Sequence, residues 1–261
     1  MAADFLHRDV PALRKRVFRL GLAVSHGLDE EGIREALDGE MNYVFWNPLA
    51  RRLVGPLRDA LSRNRERYVV ATGPSFGWFA GSIRRRVESA LRQLDTDYLD
   101  VLQLYWLGVS SSLGEANVEA LARLREEGKV RAVGVSIHDR PRAARLAEDS
   151  VLDLLMIRYS AAHPGAEKDV FPHLGRRNPA VVAYTATAWR RLLRRPRGWE
   201  DRPATAGECY RFCLTSPHVD VVLCSPATVG QLRENLADAA RGPLGAPEMD
   251  FMRRLGRAVH G

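Results

Sequence analysis

Two textures of apolar residues alternate along the chain. Short runs rich in β-branched and aromatic residues predict strands at 17–23, 43–46, 68–72, 101–105, 132–136, 154–158, 181–184 and 219–223. These runs are almost continuously apolar, the pattern of strands buried on both faces rather than half-exposed ones. Between them, amphipathic stretches predict helices at 29–37, 82–94, 117–125, 141–147, 204–214 and 229–239. In the second of these, Ile83, Val87, Ala90, Leu91 and Leu94 recur at helical spacing with arginines on the opposite face. In the third, Val118, Leu121 and Leu124 repeat the pattern, and Gly128 supplies a stop. A last helix over 247–259 is expected to pack outside the sheet. Strands alternating with helices imply a parallel sheet, and eight such units predict one α/β domain over 1–261, a closed (β/α)8 TIM barrel. No internal repeat, low-complexity tract or linker interrupts it, and the proline-containing stretch 193–203 is expected to be a mobile loop.

Composition narrows the class without changing the fold. The length of 261 residues matches the barrel's typical size of about 250. A 46% hydrophobic and 27% charged chain is ordinary for a globular protein with a sizeable core. No apolar run approaches the roughly 18 residues of a membrane helix, and residues 1–16 contain no apolar core of a secretory signal. Three cysteines, Cys209, Cys213 and Cys224, are too few for a disulfide framework, so a cytoplasmic location is expected. The net charge of +7 raises the question of nucleic acid. However, only Lys15, Lys129 and Lys168 of the 39 basic residues are lysines, a skew towards Arg that spans the chain rather than one surface. The dense cluster Arg190, Arg191, Arg194, Arg195 and Arg197 reads as a solvated basic loop, with phosphate binding as its alternative. Nucleic acid and membrane are not expected partners.

Four segments carry a more specific signal. They are the stretch from Val87 to Trp106 containing Asp97-Tyr98-Leu99-Asp100, the stretch Gly128-Lys129-Val130-Arg131-Ala132-Val133-Gly134-Val135-Ser136, the strand Val182-Ala183-Tyr184, and Gln231-Leu232-Arg233-Glu234-Asn235-Leu236. Together they resemble the aldo-keto reductase superfamily of NADP-dependent oxidoreductases, over nearly the whole chain. The resemblance implies hydride transfer from a nicotinamide to a carbonyl carbon while a Tyr hydroxyl protonates the oxygen. It also implies a Lys that lowers that Tyr's pKa, an Asp that pairs with the Lys, and a His that orients the carbonyl. A general acid needs a pKa near working pH, and a neighbouring cation supplies the shift.

Here the resemblance breaks. It places Phe45 where the Asp is expected, Ala50 at the Tyr, Gly73 at the Lys and Tyr105 at the His. Shifting the match by a residue or two brings no acid or Lys to the strand ends: the neighbours are Trp46, Asn47, Pro48, Thr72 and Pro74. Arg51 and Arg52 lie beyond the strand, and an Arg fork is a poor substitute for a Lys amine. For the cofactor, the resemblance assigns Ser136, Tyr184, Glu234 and Asn235 to NADP(H). It sets Ile137 and Met156 where two of the carboxamide partners should be, leaving a buried amide poorly satisfied.

Other constellations are weaker. Tyr105, His138 and Asp139 are expected on the C-terminal rim of the barrel, where a Tyr–His pair could perform acid–base work. Phe45, Trp46, Trp106, Met156 and Tyr184 predict an apolar, aromatic pocket, either open to a flat ligand or filled by its own side chains. Cys209 and Cys213, four apart on a helix, could offer two metal ligands, but no His or Cys pair accompanies them, so buried free thiols and no metal are expected. The leading expectation is an aldo-keto-reductase-like barrel that is not a standard carbonyl reductase, a pseudoenzyme or repurposed member that binds a small-molecule ligand or a protein partner. The alternatives are an active NADP-dependent oxidoreductase with Tyr105, or else His138, in the catalytic role, and an accessory subunit of a complex.

Overall fold

The computed structural model describes residues 4–24, 27–47, 50–74 and 76–260. A hairpin of β1 (His7–Val10) and β2 (Lys15–Phe18) precedes the barrel. Eight parallel strands follow: β3 (Leu20–Ala23), β4 (Tyr43–Trp46), β5 (Val69–Thr72), β6 (Leu99–Leu104), β7 (Val130–Ile137), β8 (Leu154–Arg158), β9 (Ala180–Tyr184) and β10 (Val221–Cys224). They close in the order β10-β3-β4-β5-β6-β7-β8-β9. The surrounding helices are α1 (Glu30–Asp38), α2 (Val54–Arg63), α3 (Ala80–Leu94), α4 (Glu115–Glu126), α5 (Arg140–Glu148), α6 (Ala166–Asp169), α7 (Ala206–Thr215) and α8 (Val229–Ala240). A final helix, α9 (Ala246–His260), lies outside the barrel, and its Gly256 passes so close to the Ala161 carbonyl that no side chain would fit.

Three features depart from the expected pattern. The run 17–23 is two strands broken at Arg19, and β2 turns back onto β1 instead of entering the barrel. Buried Arg19 stabilises the break by donating to the carbonyls of Phe5, Leu214, Val219 and Asp220. The hairpin side chains Val10, Leu13 and Val17 pack against Tyr43, Val69 and Val101 and plug the bottom of the lumen. Helix α2 was not among the expected helices, and it contains the pair Gly55-Pro56. Pro56 falls in the first helical turn, where the missing N–H costs nothing, and it joins Leu57, Ala60 and Leu61 in a buried stripe. The last barrel strand, placed at 219–223, begins instead at Val221.

A repeated device fixes the barrel's base. Asn42, Asp100, Asp153 and Asp220 stand at or just before the starts of alternate strands, and each side-chain oxygen accepts a backbone N–H from a neighbouring segment. The donors are Phe18 (2.7 Å), Val70 (2.9 Å), Val133 (2.8 Å) and Val181 (2.7 Å). The carboxylates are held by cations: Asp100 by Lys15 and Arg65, Asp153 by Arg125, and Asp220 by Arg8. This satisfies backbone donors at the N-terminal end of the barrel, the end opposite the one where active sites of this fold form.

Candidate active site at the C-terminal rim

Strand alternation decides what faces the lumen. Phe45, Ala71, Val101, Met156, Val182 and Tyr184 belong to the interior cluster, whereas Trp46 and Val70 turn outward into the layer beneath the helices. Trp46 is fully buried in that outer layer and so is no part of the pocket to which the sequence assigned it. Trp106 also lies apart: it is 49% exposed and packs on His138, with ring centroids 5.5 Å apart. The other three pocket residues, Phe45, Met156 and Tyr184, do line an open cavity of about 810 Å³. That volume falls in the range of small-molecule sites, roughly 300–1,000 Å³. The cavity runs from the mouth of the barrel to α8, where Gln231, Glu234 and Asn235 form its far wall.

The four positions of the expected proton-transfer device have these surroundings. Phe45 packs against the Tyr105 ring, 5.6 Å between centroids. Ala50 is half-buried against the outer core and is not among the cavity's walls. At Gly73, a Cβ would fall 1.7 Å from the carbonyl oxygen of Gln103 on the adjacent strand, so this backbone admits no side chain there. The Tyr105 hydroxyl donates to the Trp46 carbonyl at 3.3 Å. Burial pushes that phenol well above its ordinary value, and hydrogen bonding at Thr72 and Gly73 and the Arg86 charge only partly oppose it. Below it in the lumen, the Tyr43 hydroxyl and both polar atoms of the Gln103 amide are buried without a partner.

The predicted Tyr105–His138 pairing does not form. His138 shares a hydrogen bond with the Tyr184 hydroxyl, 2.8 Å from its Nε2, and their rings meet edge to face. Asp139 caps α5 by accepting from the Arg142 N–H at 2.9 Å, a structural use. Burial lowers the His138 pKa, and the nearby Arg158 charge lowers it further. Burial pushes the Tyr184 phenol up to about 12, against the Arg158 charge and the Ser136 hydroxyl, which pull it down. Ser136 itself is buried at the end of β7 beside Tyr184. Asn235 is buried and its amide donates to the Cys224 thiol at 3.4 Å, while Glu234 is exposed on the cavity wall. Cys209 and Cys213 are free thiols on the buried face of α7, with Cys213 donating to the Tyr159 carbonyl.

Two features escaped the sequence reading. The first is the loop after β9, where Thr185, Ala188, Trp189 and Arg190 all adopt positive φ (55°, 49°, 54° and 69°). Each such non-glycine residue costs roughly 1–2 kcal/mol, and strain of this kind concentrates at ligand clamps and active sites. All but Ala188 line the cavity. Of the arginine run that follows, Arg190 faces the cavity. Arg191 instead donates to the Val259 carbonyl, and Arg195 ties the 193–203 stretch together through the carbonyls of Trp199 and Glu200. The second is Arg158, a charged residue ending an otherwise apolar strand, which was legible as an anomaly.

A closed eight-stranded parallel barrel with a cavity at the carboxyl ends of its strands defines a (β/α)8 barrel protein. Residues 47–198 match the model of the aldo/keto reductase family, and the chain belongs to that family. It is 31% identical over 150 residues to a methylglyoxal reductase of Escherichia coli (strain K12), a match covering 56% of this chain and 51% of that protein. The chain therefore spans about half the length of that relative. Its fold is that of an aldo-keto reductase from Bacillus halodurans in its holo form (TM-score 0.81, 23% identity, 97% of this chain and 96% of that one). It is also that of an aldo/keto reductase from Klebsiella pneumoniae solved in complex with NADP and acetate (TM-score 0.79, 22% identity, 97% and 95%). No helix of the described residues is long and apolar enough to cross a membrane.

Proposed function

We propose that this barrel keeps the family's ligand cavity, with NADP(H) as its first candidate occupant, but does not reduce carbonyls by the family's Tyr–Lys proton transfer. The observation that carries the second half is Gly73. With no room for a Cβ at the end of β5, no cation can stand there to lower a phenol's pKa. The one remaining phenol of the four positions, Tyr105, is shifted the wrong way for an acid and donates its hydrogen bond to a backbone carbonyl. General acid catalysis is worth about 10²–10⁴-fold, and a device missing its cation and its partner acid forfeits most of that.

The cavity fits a dinucleotide unevenly. Tyr184 offers an aromatic wall, Arg190 a guanidinium for phosphate oxygens, and Glu234 and Asn235 polar groups at the α8 end. Met156 offers nothing to a carboxamide, so the nicotinamide end would be held by ring contact more than by hydrogen bonds. Such a cofactor, when bound, supplies a hydride. The residues of this chain orient it and exclude water, and they hold no proton on an acid tuned for transfer. Calorimetric titration with NADPH tests the binding half: micromolar affinity is expected, weakened tenfold or more by Tyr184→Ala. No saturable binding to the folded protein would remove NADP(H) from the account.

A further inference from the structure

Arg158 is a rim cation without an ionic partner among the described residues. It ends β8 two residues beyond Met156 on the same face of the strand, one layer nearer the mouth, and pairs in register with Tyr184. It makes no ion pair or hydrogen bond among the described residues. Its guanidinium instead lies over the Trp189 ring, 5.6 Å from the centroid. Trp189 is held there by the strained loop after β9, is 57% exposed, and forms part of the cavity wall. His163 also meets Trp189, edge-on with ring centroids 5.9 Å apart, and its Nδ1 is buried without a partner. Tyr184, on the cavity wall, shares its 2.8 Å hydrogen bond with His138.

Nearby acids are committed elsewhere. Asp139 caps α5, Asp169 pairs with Arg140, and Glu167 with Arg253. The one carboxylate on the cavity wall, Glu234, stands at its α8 end. An Arg fork at the carboxyl end of a barrel strand, flanked by indole and imidazole rings and lacking an internal anion, is complementary to a planar oxyanion.

We propose that the mouth of the rim cavity takes a carboxylate-bearing, flat ligand, whose carboxylate is held by Arg158, just outside the lining residues, and whose body lies against Trp189 and Tyr184, which belong to the lining. The inference rests on the cavity being a ligand site and names the ligand's chemistry. It does not depend on NADP(H). Two guanidinium bonds to one carboxylate fix orientation, and the neighbouring rings accept an aromatic or conjugated body.

Benzoate and its neutral isostere benzamide are the probes, with tryptophan fluorescence and calorimetry as readouts on the full chain. Benzoate is expected to bind at least tenfold more tightly than benzamide. Arg158→Gln should abolish that difference, and Arg158→Lys, which keeps the charge but loses the fork, should restore only part of it. Equal binding of the two probes to the unaltered protein overturns the proposal without recourse to any variant. Unchanged benzoate affinity in a folded Arg158→Gln protein overturns it as well. An NADPH titration of the same sample reports separately on the cofactor reading, so failure of one is distinguishable from failure of the other.

Discussion

Gly73, the residue just after β5, and Gln103 on β6 approach so closely that a Cβ on the first would lie 1.7 Å from the carbonyl oxygen of the second. The contact is backbone on backbone, so no rotamer change relieves it. It makes the absence of a Lys at this strand end a property of the barrel's packing, beyond the identity of one residue.

Gly73→Ala should therefore lower stability by about 1–3 kcal/mol, the usual cost of forced overpacking, and Gly73→Lys by at least as much. Thermal unfolding of the two variants measures this. A Gly73→Lys protein as stable as the parent would show that the strands separate readily, and would reopen the possibility of a working Lys at this site.

Directly beneath the cavity, the Gln103 amide is fully buried with neither polar atom paired. An unsatisfied buried polar group costs roughly 1–3 kcal/mol, so Gln103→Met, similar in shape and without the polar atoms, should raise the midpoint of denaturant unfolding. A fall instead would mean that the amide is bonded to something in solution, an ordered lumen water being the simplest partner.

His138 and His163 both have pKa values pulled below the ordinary imidazole value of 6.5, chiefly by burial and secondly by Arg158. The unfolded chain then binds protons first as pH falls, so stability from these groups is complete above about 6.5 and declines below it, towards the folded-state values. Unfolding midpoints measured from about pH 8 to about pH 5 should fall on the acid side, and the fall should shrink in the His138→Gln, His163→Gln double variant. Identical acid-side slopes in parent and double variant would contradict this assignment.

The barrel was legible because its strands are buried on both faces and their apolar runs are unbroken, as at 154–158, where prediction and structure coincide. What escaped was set by tertiary context. Arg19 breaks an apolar run through four carbonyl contacts distant in sequence, and Pro56 enters a helix at the one turn that tolerates it. At the rim, alternation could have told Phe45 from Trp46, since neighbours on a strand cannot face the same lumen. The pairing of His138 with Tyr184 rather than Tyr105 had no such signal, because it depends on how the loops after β6 and β7 settle. The left-handed residues after β9 were invisible too, as none of the four is glycine.

The central claim is that the family's proton-transfer device is absent while its cavity persists. Steady-state oxidation of NADPH with a panel of aldehydes and ketones, run on the parent and on Tyr105→Phe, tests it most directly. The account predicts no turnover above the protein-free rate, or a slow rate that the substitution leaves unchanged. Robust turnover that falls a hundredfold or more in Tyr105→Phe, the scale of a lost general acid at about 10²–10⁴-fold, would contradict it and make Tyr105 the proton donor of an active reductase.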